Sequence, residues 1–366
     1  MKQKQYLVAI HKALGLTFLR YKKLSPVFAN NWQNLWKASL NELLEVGLSK
    51  KEIERFVSER TKINPVEEYE YLQQRGISVL FYEDELFPPQ LKNIYNPPVL
   101  LFMRGSLLPT DFPSVSVVGA RKISDYGKRA LEHIVKEVAQ AGVTIVSGLA
   151  LGTDVLAHQV AVQNGARTIA VLGNAIDSIY PKANERFANQ LIEENQGVIL
   201  SEYLPGTKIS PGNFPQRNRI VSGLSRATII VEAAEKSGSL ITGKLAIDQN
   251  KELFVVPGSI FSQNSAGTNQ LLLSGEAFPV LSGKQVLEHL QLGNNTIETK
   301  KVQQTFECTA VESSILKLLS EHEQLHIDEI IQSVPHKNTE VVSALAILEI
   351  KGGVKNSGKQ VYHSTV

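Results

Sequence analysis

Cysteine is almost missing from this chain. Cys308 is the single one among 366 residues, which excludes an internal disulfide framework and a thiolate-rich metal site and fits a reducing compartment. Long apolar runs are missing as well. The first, Tyr6 to Ile10, is followed at once by His11 and Lys12, so neither a signal peptide nor membrane insertion is expected, and the protein is placed in the cytoplasm. The phosphate loop GxxxxGK(S/T) does not occur, and neither does the complete glycine fingerprint of dinucleotide-binding folds. No cofactor and no metal are expected. Internal repeats and low-complexity tracts are also absent.

What is present suits a multidomain globular protein: 366 residues, 43% of them hydrophobic, are enough for two or three domains around a sizeable core. The net charge of +2 hides an uneven distribution. Residues 1–64 carry 12 Lys and Arg against 5 Glu, whereas residues 295–366 carry 7 against 9 acids. The head is basic and the tail mildly acidic.

Four segments follow. Residues 1–64 read as short helices, with the capping boxes Ser39-Leu-Asn-Glu42 and Ser49-Lys-Lys-Glu52 starting two of them and Gly47 stopping the first. This helix-hairpin-helix or SAM-like pattern is common both at nucleic-acid backbones and in plain packing modules. Residues 65–290 hold the core. From Pro113 onward, Val115–Val118, Val143–Val146, Thr168–Leu172, Val198–Leu200, Thr228–Val231 and Leu253–Val256 are β-branched runs alternating with helical periods. Strands apolar on both faces imply a doubly wound, mostly parallel α/β sheet, with ligands beyond the carboxyl ends of its strands. Residues 291–304 are polar and aperiodic, a linker. Residues 305–366 pattern as three helices and a β-wing over Gly352–Tyr362, a winged-helix domain. Its third helix, Thr339–Ile350, carries Glu340 and Glu349 and no arginine, a surface better suited to protein contact or regulation than to a duplex groove.

The strand-end turns carry the chemistry. Gly119-Ala120-Arg121 closes the first core strand, with Ser124 or Asp125 placed to cap the next helix; free amides, a helix dipole and a guanidinium suit a phosphate. The alternative is a turn glycine beside a solvated arginine. Ser147-Gly148-Leu-Ala-Leu-Gly152-Thr-Asp154 forms the second turn. Asp154 and His158 are spaced as an acid/base pair, and equally as a cap and a core histidine. A third loop holds Tyr180-Pro-Lys182-Ala-Asn184, and a fourth Gly238, Ser239 and Lys244. Between them lies Asn213-Phe-Pro-Gln-Arg-Asn-Arg-Ile-Val-Ser-Gly-Leu-Ser225. Pro215 suits a first helical position, which would leave Phe214 just outside the helix and Arg217 and Arg219 in its first turn. Cations conflict with the dipole there unless a polyanion is bound, and an aromatic beside arginines suits single-stranded nucleic acid. The competing reading is a core phenylalanine with arginines paired to Glu202 or Glu232.

In this order, Val118-Gly-Ala-Arg121, Ser147-Gly-Leu-Ala150 with Gly152 and Asp154, Tyr180-Pro-Lys-Ala-Asn184, Phe214-Pro-Gln-Arg-Asn-Arg219 and Ser237-Gly-Ser-Leu-Ile-Thr242 resemble the DNA-processing protein A (DprA/Smf) family, from about Leu7 to the C-terminus. The resemblance implies an extended Rossmann-like, non-enzymatic domain that binds single-stranded DNA, forms a homodimer and loads the RecA recombinase during natural transformation. It assigns DNA contact to Arg121, Lys182, Phe214, Arg217 and Arg219. Asn218 and Lys244 join them, with phosphates at the turns Gly119, Ala120, Ser147, Gly148, Gly238 and Ser239. Pro211 stands where relatives carry a basic residue, with Lys208 as the substitute.

Two rival functions remain open: a nucleotide-processing hydrolase on a Rossmann-like scaffold, and a transcriptional regulator acting through the winged helix. The first needs a contiguous Pro-Gly-Gly-x-Gly-Thr and a catalytic acid. Here Pro257-Gly258 is separated from Gly267-Thr268, and Gln270 stands where the acid is expected.

Overall fold

A computed structural model describes residues 2–292, 309–320, 324–351, 354–356 and 360–364. Cys308, the linker from residue 293 onward and the glycines of the wing lie outside the described residues. All six apolar runs are strands: β3 (Ser114–Val118), β4 (Thr144–Ser147), β5 (Thr168–Leu172), β6 (Gly197–Ser201), β7 (Ala227–Ile230) and β8 (Glu252–Val255). Three strands were not foreseen, β1 (Ile77–Phe81), β2 (Leu100–Gly105) and β9 (Phe278–Pro279).

The nine strands form one sheet in the order β1-β2-β6-β5-β4-β3-β7-β8-β9. From β6 to β9 every pair is parallel, and β1 and β2 add an antiparallel edge. Burial on both faces explains the continuous apolar runs. The hydroxyls inside them are bonded, as Ser116 Oγ is to Thr228 Oγ1 at 2.7 Å. From β3 the chain adds β4, β5 and β6 on one side and then β7, β8 and β9 on the other, so the strand order reverses between β3 and β7, the switch point at which such sheets leave a crevice.

The head packs on this sheet rather than standing apart. Both capping boxes form: Ser39 N donates to Glu42 Oε2 at 2.7 Å and Ser49 N to Glu52 Oε2 at 2.9 Å. They start the helices Leu40–Glu45 and Lys50–Arg60, and Gly47 makes the turn between them at φ +74°. Leu7, Ile10, Trp32 and Phe56 share one buried cluster with Phe102 and Ile199 of the sheet. Packing accordingly divides the chain into residues 1–293 and 294–366.

The second unit has helices Ala310–Ser320, Ile327–Ser333 and Asn338–Lys351 and a three-stranded sheet of β10 (Leu325–His326), β11 (Val354–Asn356) and β12 (Val361–Ser364) in the order β10-β12-β11. Ile315, Ile330, Leu345 and Tyr362 fill its own small core.

Candidate nucleic-acid interface

The helix of Arg217 and Arg219 is Asn213–Leu224, two residues longer at its start than Pro215 implies. Phe214 is therefore inside the first turn, and Arg217 and Arg219 fall in the second, away from the dipole conflict inferred from sequence. The two arginines then diverge. Arg217 turns inward and is 6% exposed. Its Nη1 donates to Gly148 O at 2.8 Å and to Val171 O, which ties the ends of β4 and β5 together. Burial lowers its pKa, with the charge of Asp154 opposing that shift. Arg219 turns to another side and, largely covered, grips Glu202 with two nitrogens, at 2.8 and 2.7 Å, while its Nε donates to Asn96 O at 2.9 Å. Glu232 bonds elsewhere, accepting from Ser124 N at 2.9 Å and Ser124 Oγ at 2.5 Å.

Phe214 is half-buried, and close approach fixes it. A β-carbon on Gly173 would lie 2.7 Å from its Cδ1, so the glycine leaves the ring its seat. The Tyr180 ring stands beside it, centroids 5.9 Å apart and tilted by 47°. Tyr180 is 49% exposed, so the pair presents aromatic surface outward.

The turns around them are locked to one another. Gly152, at φ +75°, brings the second turn against the first: a β-carbon there would be 2.5 Å from Ala120 O and Arg121 O. Thr153 N and Oγ1 both donate to Ala120 O at 3.1 Å. Asn184 Nδ2 donates to Leu149 O at 2.9 Å, which attaches the third loop. Ser124 caps the helix Asp125–Gln140, as expected, accepting from Gly127 N at 3.1 Å. Ser237 caps the helix Gly238–Asp248, accepting from Ser239 N.

These pieces enclose a cavity of about 520 Å³ beyond the carboxyl ends of the strands. Arg121, Gly119, Gly148, Phe214, Arg217 and Asn218 line one side, and Gly238 and Ser239 the other. Arg121 is exposed, and its guanidinium is near enough to Arg217 to depress that residue's pKa further. Not every expected residue reaches the cavity. Lys182 and Lys208 are exposed outside its wall, Lys244 lines a neighbouring groove, and Arg219 is engaged with Glu202. Ser147 is buried, its Oγ donating to Val117 O at 2.6 Å, and Ala120 serves through its carbonyl. Sequence reasoning missed the wall formed by Tyr180, Ile209 and Ile241; Tyr180 was in a quoted motif, but only packing turns it toward Phe214.

Asp154 and His158 do not bond to each other. Asp154 accepts from Ala150 N at 3.3 Å, and burial pushes its carboxyl pKa up against the pull of Arg217. His158 Nδ1 is paired with Thr168 Oγ1 at 2.6 Å, and burial, helped by the Arg217 charge, lowers its pKa to about 3. A neutral core histidine results. Among the described residues no cluster could hold a metal ion and no helix is long and apolar enough to cross a membrane.

Residues 78–291 match the sequence family described as DNA recombination-mediator protein A. Protein Smf of Synechocystis is 39% identical over 293 residues, covering 79% of this chain and 73% of that protein. The X-ray structure of DNA processing protein A from Streptococcus pneumoniae superposes with a TM-score of 0.69 at 35% identity, over 78% of this chain and 97% of that one. DNA processing protein A from Helicobacter pylori, whose structure is described by its single-stranded DNA binding mode, gives a TM-score of 0.53 at 33% identity, over 59% and 95% of the two chains.

Proposed function

The chain belongs to the DNA recombination-mediator protein A family, and from that premise we propose that it binds single-stranded DNA in the strand-end cavity and delivers it to a recombinase. One observation carries the reading: the Phe214 and Tyr180 rings open into the same cavity as Arg121 and the amides of the Gly119, Gly148 and Gly238 turns. Bases stack on aromatic faces while backbone phosphates meet cations and helix N-termini. A paired base cannot leave its stack to enter such a slot without losing its partner, so single strands are preferred to duplex.

A binding role rather than turnover is supported by the Pro257-Gly258 turn, where the motif of the rival hydrolase would begin. Gly258 is closed onto Asn269, its N–H reaching Asn269 Oδ1 at 3.2 Å, and Gln270 stands where the acid would be. The mediator acts in the cytoplasm, loads RecA onto incoming DNA during natural transformation, and works as a homodimer. The dimer contact is placed at the end of the core, roughly Gly267–Leu290, where Leu273, Phe278 and Leu281, with the nearby Phe261 at 93%, leave apolar side chains exposed.

The test is a salt titration of binding to a fluorescent oligodeoxythymidylate, with duplex as competitor, followed by RecA ATPase on strands precoated with single-strand-binding protein. Salt-sensitive binding that duplex fails to displace, and RecA activity that rises with added protein, are expected. Equal affinity for duplex would overturn the pocket reading, and unchanged RecA activity the mediator reading.

A further inference from the structure

The cavity does not end at the Gly238 turn. Ser237 and Ile241 line both it and a second groove of about 490 Å³, so the two adjoin, with Ile241 at the boundary between them. Residues 237, 241, 244, 245 and 248 are spaced to share one face of the helix Gly238–Asp248. Ile241 is 45% exposed at that boundary, and Leu240 and Leu245 make the groove apolar. Lys236 and Lys244 stand at its margin without an ion-pair partner among the described residues, and Glu235 and Asp248 also line it. Lys244 is six residues beyond Gly238, about 9 Å along the helix at the α-helical rise.

We infer that a single strand held in the cavity continues over Ile241 into this groove, where at least one further base packs against Leu245 and Ile241 and the backbone passes Lys236 and Lys244. The inference rests on the single-strand reading of the cavity. The occupant is the same strand because the groove adjoins the Gly238 turn and carries cations without an ion-pair partner among the described residues beside an apolar floor, the pairing that stacked bases and their phosphates require. Lys244 is thus a contact for the extension of the strand, not for the nucleotide in the slot.

The experiment measures affinity for oligodeoxythymidylates lengthened one nucleotide at a time, for the full chain and for Leu245→Gln and Lys236→Gln, neither of which lines the cavity. For the unaltered chain, affinity should rise with length by about tenfold beyond the shortest strand that binds, the size expected for one more stacked base. Both variants should bind the shortest strand as the unaltered chain does, melt at the same temperature and lose most of that gain. A gain retained in full by both variants would overturn the groove, as would loss by one common factor at every length or no length dependence at all. Failure of the unaltered chain to bind any strand would instead overturn the cavity reading itself.

Discussion

A β-carbon at Gly148 would stand 2.5 Å from Nη2 of Arg217, so the side chain that the glycine lacks is the space the guanidinium occupies. The contact joins the end of β4 to the helix that carries Phe214. An arginine that looks like a DNA contact in sequence therefore acts first as a rivet.

Gly148→Ala should destabilise the protein by about 1–3 kcal/mol, the usual cost of overpacking. Arg217→Met should cost at least as much, because it leaves the buried carbonyls of Gly148 and Val171 without a donor, about 1–3 kcal/mol for each unsatisfied group. Urea denaturation of residues 1–293 with its tryptophan signal measures both, and an unshifted midpoint for Arg217→Met would contradict the rivet.

Phe214→Ala should weaken single-strand binding by about 1–3 kcal/mol, the contribution of one stacked base, while Phe214→Trp should keep it. In the tryptophan variant, titration with oligodeoxythymidylate should quench the new fluorescence. Quenching without any affinity loss in the alanine variant would place the base elsewhere.

Arg121 and Arg219 should separate by salt dependence. Arg121→Gln should lower the slope of log affinity against log salt by about 1, as expected for one lost phosphate contact. Arg219→Gln, whose guanidinium is paired with Glu202, should leave the slope unchanged and lower the melting temperature slightly. Anisotropy between low and moderate salt reads the first effect, calorimetry the second.

His158 should make the fold acid-sensitive. Its pKa lies near 3 in the folded chain against an ordinary 6.5, so between those values the unfolded chain binds the extra proton. Stability then falls as pH drops below about 6.5, by up to about 1.4 kcal/mol per unit from this group. Asp154, whose pKa is raised, acts in the opposite sense: its contribution is present at low pH and lost as pH rises through its folded value. Urea midpoints from pH 7 to 4 should drop, and His158→Gln should flatten the profile. A wild-type slope retained by that variant would assign the effect to other groups.

The edge strands show where sequence was insufficient. Ile77–Phe81 and Leu100–Gly105 are separated by a proline-rich stretch; they pair with each other, and the antiparallel attachment of Leu100–Gly105 to β6 follows from contacts far along the chain. The head illustrates the same limit. Its capping boxes are local and were legible, whereas the packing of Leu7 and Trp32 against Phe102 is not local and was not.

By itself the sequence determined the alternation of apolar strands and helices, the helix caps at Ser39 and Ser49, and the row of glycine turns, because each depends on residues within one turn or one strand of each other. Tertiary structure alone decided which partner each arginine takes, backbone carbonyls for Arg217 and the Glu202 carboxylate for Arg219. Arg217 and Arg219 are two residues apart on one helix, so they point in different directions. The direction of Arg217 was set by strands from elsewhere in the chain, whose carbonyls at Gly148 and Val171 needed a donor.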